Sequence, residues 1–151
     1  MRQITMIVPL ALALAVAFRP APSAADEPKK ADAKPANELV GTWKRISAKY
    51  DGKESRLPEG FTQLKHVTPR QFTWVLYGED GKVVAGLGGS YSLKGDEYVE
   101  TPEYGVGEVF DQLKGKQQVF KWKIEGNRWR HTGKLSSGLA IEETWERVEK
   151  K

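Results

Sequence analysis

Residues 117–148 read QQVFKWKIEGNRWRHTGKLSSGLAIEETWERV, three stretches separated by Gly126-Asn127 and by Ser136-Ser137-Gly138. In each stretch apolar and charged residues alternate at period two, the pattern of a strand that buries one face. Gly-Asn is a natural two-residue hairpin loop and pairs Glu125 with Arg128 just outside it. Counting away from that turn sets Ile124 against Trp129 and Trp122 against His131, while Lys121, Lys123, Arg130 and Thr132 all fall on the other face. Turn chemistry and hydrophobic pattern are independent sources of register, and here they agree. A three-residue loop at Ser136-Ser137-Gly138, with Gly138 in the left-handed position, pairs Leu135 with Leu139, and hence His131 with Glu143 and Trp129 with Trp145. A two-residue loop would put Trp145 beside Arg130 and mix the faces.

The same alternation runs back to Leu39, with glycine-containing turns between the segments. It predicts about eight strands, centred near Thr42–Lys49, Phe61–Val67, Gln71–Tyr77, Val83–Leu93, Glu97–Tyr104, Gln117–Glu125, Arg128–Leu135 and Leu139–Val148. The expected fold is all-β, an antiparallel up-and-down meander that closes into a barrel, since closure removes the exposed edges. No segment carries a helical stripe. A turn at Gly95-Asp96 pairs Lys94 with Glu97, Leu93 with Tyr98 and Tyr91 with Glu100, so that Tyr91, Tyr98 and Glu100 look inward, with Tyr104 further along the same alternation. The run Gly86–Gly89 is a natural place for a bulge. His66 faces Phe72 or Thr73, according to whether the turn at Thr68-Pro69-Arg70 has three residues or two.

The chain begins differently. Arg2 is followed by an apolar run from Ile4 to Phe18 and by Ser23-Ala24-Ala25, which suits signal peptidase, so residues 1–25 read as a cleaved signal peptide. The apolar run, broken by Pro9, falls short of the roughly 20 residues that span a bilayer. Residues 26–37 are charged and rich in Ala and Pro, the composition of a disordered linker. Residues 38–149 then form one domain of ordinary size. The absence of cysteine from an exported chain points to a bacterial periplasmic or secreted protein. Lys and Arg number 24 against 20 Asp and Glu, a formal +4, and the signal peptide accounts for Arg2 and Arg19 of that excess. The remaining cations are interleaved with acids along strands, so no nucleic-acid footprint is expected, nor stable membrane insertion after cleavage.

With a barrel argued, Leu39-Val40-Gly41-Thr42-Trp43-Lys44 resembles the opening of lipocalins and fatty-acid-binding proteins, which carry Gly-x-Trp on the first strand. Those families place an Arg late in the chain against that Trp. The resemblance therefore implies a structural closure between Trp43 and Arg147 by a cation–π contact. The domain is also similar to the uncharacterised lipocalin-like (calycin-type) domains of secreted bacterial proteins, through Lys65-His66-Val67-Thr68-Pro69 and Thr144-Trp145-Glu146-Arg147. This likeness implies fold and compartment and names no ligand. The chain departs from typical lipocalins in lacking disulfides and in being short, which argues against a C-terminal helix and a large cavity.

The registered inner face carries Tyr91, Tyr98, Glu100, Trp122, Trp129, His131 and Glu143, aromatic surface with a few directional polar groups, as small-molecule sites have. These seven are the candidate ligand-binding residues, for a small apolar or amphipathic ligand. The same residues also suit a filled core in which His131 and Glu143 satisfy each other, which would make the chain a structural or interaction domain of the cell envelope. Cavity volume separates the two. No metal or other cofactor is expected: His66, His131, Glu100 and Glu143 lie on different strands without close ligand spacing. Nor is an enzyme expected, since the chain has no cysteine and no G-x-S-x-G elbow. The Gly86–Gly89 run lacks the Lys-Ser/Thr and helix of a phosphate loop.

Overall fold

The computed structural model describes residues 38–148. The expected signal peptide, residues 1–25, and linker, residues 26–37, lie outside the described residues. Turn chemistry sets the hairpins. Gly126 and Gly95 both take positive φ, 63° and 61°, at the tight turns where their hairpins reverse, a conformation glycine adopts at little cost. The resulting strands are β1 (Gly41–Tyr50), β2 (Lys53–Glu54), β3 (Phe61–Val67), β4 (Gln71–Gly78), β5 (Val83–Lys94), β6 (Glu97–Val106), β7 (Gln118–Glu125), β8 (Arg128–Lys134) and β9 (Ala140–Arg147). Apart from β2, a two-residue extension folded onto the end of β1, each pairs antiparallel with the next, and β1 pairs with β9 to close an eight-stranded barrel.

All eight expected strands are present, and the registers read from the turns hold. Glu125 faces Arg128, Trp122 faces His131, Trp129 faces Trp145, His131 faces Glu143, and Tyr91 faces Glu100. Thr68 N–H donates to the Gln71 carbonyl, a two-residue turn that sets His66 against Thr73 and leaves it exposed on the outer face. The bulge at the glycine run lies between Gly88 and Gly89, opposite an extra residue, Glu103, on β6. Glu103 turns outward, and its carboxylate accepts from the Ser90 N–H and hydroxyl. This extra residue corrects one expectation. Parity changes across the bulge, so Tyr104 lies outside, its ring over Gly88 and its hydroxyl 2.8 Å from that of Thr73.

A second correction is a short helix, α1 (Glu108–Leu113), where none was expected. Six residues are too few to display a helical stripe, but Phe110 and Leu113, three apart, share one buried face. Glu108 and Asp111 in its first turn suit the positive end of the helix dipole. The helix packs where β6 and β7 part: their ladder covers only Glu97–Glu100 against Gln118–Lys121.

The interior is divided along the barrel axis. At the end formed by the turns at 68–71, 95–96 and 126–127, Trp43, Phe72, Tyr98, Phe120, Trp129 and Trp145 pack into an aromatic core. Trp129 lies edge-on to Trp43 (5.5 Å) and to Tyr98 (5.3 Å), geometries that add roughly 0.5–1.5 kcal/mol beyond area burial. The first strand is fastened at this end. Arg147 lies 4.1 Å over the Trp43 ring and donates to the carbonyls of Val40 and Glu38, and the Trp43 indole donates to the Leu39 carbonyl. Among the described residues no helix is long and apolar enough to cross a membrane.

The bulge supplies a test. A Cβ on Gly89 would run into the Thr101 carbonyl oxygen on the paired strand, so Gly89→Ala should lower the unfolding free energy by about 1–3 kcal/mol, the usual cost of overpacking. Urea denaturation checks it; an unchanged midpoint would show that β6 gives way freely.

Candidate functional site

Beyond the aromatic core, towards α1, the barrel holds a half-open cavity of about 410 Å³, within the roughly 300–1,000 Å³ usual for small-molecule sites. Its wall is apolar. Trp74 and Leu76 of β4, Leu87 of β5 and Ile141 of β9 face it, with Val109 and Leu113 of α1 at the mouth.

The floor is polar and charged, and alternation explains its position. With Val67 and Phe72 buried in the core, period two along β3 points Lys65 and Gln63 inward as well. Lys65 is 2% exposed, and its Nζ donates to Glu100 Oε1 at 2.7 Å. The ammonium also lies 5.0 Å from the ring centroids of Trp129 and Trp145 and 5.7 Å from those of Phe72 and Tyr98. A buried ion pair must offset the desolvation of both charges, and four aromatic faces around the cation assist.

The second floor cluster centres on Glu143. His131 Nε2 lies 2.7 Å from Oε2, the Trp145 indole donates to the same oxygen at 3.1 Å, and the Tyr50 hydroxyl donates to Oε1 at 3.0 Å. Arg45 Nη1 in turn donates to the Tyr50 oxygen at 2.8 Å. Burial pushes the Glu143 carboxyl up, but the hydrogen bond and charge of His131, with Lys65 and Arg45 nearby, outweigh it and bring the pKa to about 2. Glu143 is therefore an anion, and His131 Nε2 carries the proton between them. Burial, then the Glu143 charge, pushes the Tyr50 hydroxyl well above the usual range, so it remains a donor. Tyr98 is raised similarly by burial and by Glu100.

Of the seven candidate residues, Glu100, His131 and Glu143 reach the cavity floor. Tyr98 and Trp129 stand in the aromatic core, and Trp122, half-buried, packs against that core. Tyr91 leans on Tyr98 at 5.3 Å and donates to the Thr68 carbonyl. These four are not on the cavity wall. Sequence reading missed Lys65, Gln63, Arg45 and Tyr50. For Lys65, Gln63 and Arg45 the signal was there, in the inward parity of β3 and in the step of two from Trp43 on β1; for Tyr50 it was obscured by the irregularity between Arg45 and Ser47 that changes the parity of β1. Of the metal-ligand candidates, His66 lies on the outer face, away from the others, and among the described residues no three His, Asp or Glu side chains gather into a metal site.

Eight antiparallel strands, closed in chain order around a cavity, decide the fold. It is a small, closed up-and-down antiparallel β barrel. No family model and no curated protein matches the sequence. Among solved structures, a protein from Bacteroides eggerthii is 16% identical over 72% of this chain and 98% of its own, with a TM-score of 0.53. That likeness shows a shared fold. A redesigned β barrel is 19% identical over 76% of this chain and 95% of its own, at 0.49.

The depressed Glu143 pKa makes stability depend on pH. A carboxyl whose pKa is lowered in the folded state stabilises fully above its ordinary value of 4.5, and that contribution fades as pH falls towards about 2. The advantage of the wild type over Glu143→Gln should therefore shrink by on the order of 3 kcal/mol across that window. Urea midpoints for both proteins at neutral pH and between pH 4.5 and 2 measure it; a constant difference would mean that the carboxyl is not held ionised by its neighbours.

Proposed function

We propose that this chain is an exported binding protein, without catalytic activity, that holds a small, partly apolar ligand inside the barrel. The observation that carries the reading is the cavity of about 410 Å³ with an apolar wall and a charged floor. A barrel whose inner side chains served only as a core would fill that end as it fills the other, because interiors pack densely. The wall would hold the apolar part of the ligand and the floor would orient a polar end. A binding role in preference to turnover is supported by the state of the floor acids. Both oxygens of Glu143 already hold partners, and Glu100 is tied to Lys65, so neither is poised as a free base. Export is supported by Arg2, the apolar run Ile4–Phe18 and Ser23-Ala24-Ala25, and a periplasmic or secreted location in a bacterium goes with it.

Native mass spectrometry of the protein purified from its own host tests both parts. The expected chain begins at Asp26 and carries a reproducible extra mass that is lost on unfolding. A chain that retains residues 1–25 would overturn export, and a chain bare under several mild preparations would overturn the binding role. The cavity is tested by Ala85→Trp, which places a large ring at its wall. This variant should keep the barrel's circular dichroism and lose the extra mass; a variant that folds and still carries it would place the ligand elsewhere.

A further inference from the structure

The chain has no cysteine, so no disulfide ties its strands. One pair of side chains is placed to tie them by other chemistry. Lys65 of β3 and Glu100 of β6 meet across the interior, although β4 and β5 lie between their strands in the sheet. Nζ is 2.7 Å from Oε1, and the two side chains are only 2% and 6% exposed. The other lysine–carboxylate pairs among the described residues lie on the surface: Lys82 with Asp80, Lys121 with Asp96 and Glu97, and Lys123 with Glu125, their lysines 58–83% exposed. Water solvates those charges and keeps them as ions.

Inside the barrel the conditions for joining an amine to a carboxyl group are met together. The first is contact. An N···O distance of 2.7 Å brings Nζ to about the 3–3.5 Å from Cδ that marks a near-attack arrangement. The second is an apolar surround. The rings of Phe72, Tyr98, Trp129 and Trp145 enclose the ammonium, and a pair held out of water loses the solvation that favours two ions over a neutral amine and acid, so a proton passes between them at little cost. That neutral pair is the reactive form. The third is a donor beside the carbon. The Tyr98 hydroxyl is buried and makes no hydrogen bond among the described residues; burial, and then the Glu100 charge, hold its proton in place. A donor left free in the ground state serves an oxyanion that develops only on attack.

We propose that Lys65 and Glu100 condense into an isopeptide bond, an amide between Lys65 Nζ and Glu100 Cδ that staples β3 to β6 across the barrel. One ammonium proton passes to the carboxylate, and the nitrogen lone pair forms the N–C bond at Cδ. A second proton follows to the same oxygen, the C–O bond breaks, and that oxygen leaves as water; one hydrogen stays on the amide. Nothing is oxidised or reduced, and no co-reactant is needed. Both residues border the half-open cavity, which gives the water an exit. Two effects drive the step forward. Groups held in contact react at effective concentrations of up to about 10⁵–10⁸ M, and the neutral amide removes two buried charges whose desolvation the ion pair carries. The link closes a covalent loop through β4 and β5 and restricts the unfolded chain as a disulfide does. It requires no ligand, so it stands or falls apart from the binding role above.

Mass spectrometry of the whole protein reads the bond. After folding and standing at neutral pH, the chain is unfolded and weighed, and it should be one water lighter than its sequence from its own first residue. Tryptic digestion then locates the loss: fragment 57–70, left uncut at Lys65, should be joined to fragment 95–114, which carries Glu100. Lys65→Arg and Glu100→Leu should each carry their full mass. Tyr98→Phe keeps the ring and removes the hydroxyl, and it should form the bond on the order of a hundredfold more slowly, the usual loss for one oxyanion donor. A wild-type chain of full mass, cut by trypsin at Lys65, overturns the bond, and that reading does not depend on any variant folding. A water lost elsewhere in the chain, with Lys65 still cut, overturns it equally. An unchanged rate in Tyr98→Phe overturns the part given to the Tyr98 hydroxyl.

Discussion

The barrel depends on the first strand pairing with two neighbours at once. β1 meets β3 on one side and β9 on the other, and without the second ladder the meander would keep two unpaired edges, each a template for association. β1 does not follow both partners for its whole length: its ladder with β3 ends at Lys44, while that with β9 runs on to Tyr50. The irregularity between Arg45 and Ser47 follows directly, in the stretch that β1 shares with β9 from Trp43 to Tyr50. Trp43 lies at the only stretch where both ladders are present, and there Arg147 covers its ring and binds the backbone just before β1. The Gly41 backbone, at φ 146°, has no Cβ to obstruct that guanidinium.

The division of the interior follows from the same geometry. Where ladders are complete, facing side chains are held at fixed spacing and large aromatic rings interlock. Where β1 leaves β3, and where β6 leaves β7, the wall is completed by the segment Ser55–Pro58 and by α1, which do not send in side chains at strand spacing. The cavity lies at that end. The charged groups lie at the boundary between the two regions, close enough to the aromatic core to be buried and arranged in pairs that make burial tolerable. Some buried polar atoms stay unpartnered: among the described residues the Tyr98 hydroxyl, the indole N–H groups of Trp122 and Trp129, and His131 Nδ1 make no hydrogen bond. Each costs on the order of 1–3 kcal/mol, a burden carried by the density of aromatic packing around them.

Strands, closure and register were legible in the sequence because period-two alternation and turn chemistry are local signals that constrain each other. Gly126-Asn127 fixed Trp122 against His131, and Gly138 fixed His131 against Glu143, with no knowledge of the rest. The site was legible only in part. Glu100, His131 and Glu143 came from registered hairpins, whereas Lys65 and Gln63, polar residues two and four before the buried Val67, could be found from the parity of β3 alone and not from an apolar pattern. Tyr104 was misplaced because one residue, Glu103, reverses the parity of everything after it on β6, and the glycine run announces a bulge without saying which residue is extra. Helix α1 carries too few residues for any periodicity to show.

The incomplete ladders also distribute stability unevenly. The aromatic end is held by continuous backbone hydrogen bonding and by buried rings on every side. The cavity end relies on one turn and a half of helix, anchored by Phe110 and Leu113, and on Gln118, which binds the Lys116 carbonyl and Ser136 and so ties the chain after α1 to the β8–β9 turn. Segments with few buried apolar contacts and short ladders open at lower free energy than the strands they join. The fold therefore places its least costly openings around the cavity and its most rigid packing beneath the charged floor. A floor held more firmly than the wall above it would keep its polar groups aligned if a molecule entered or left.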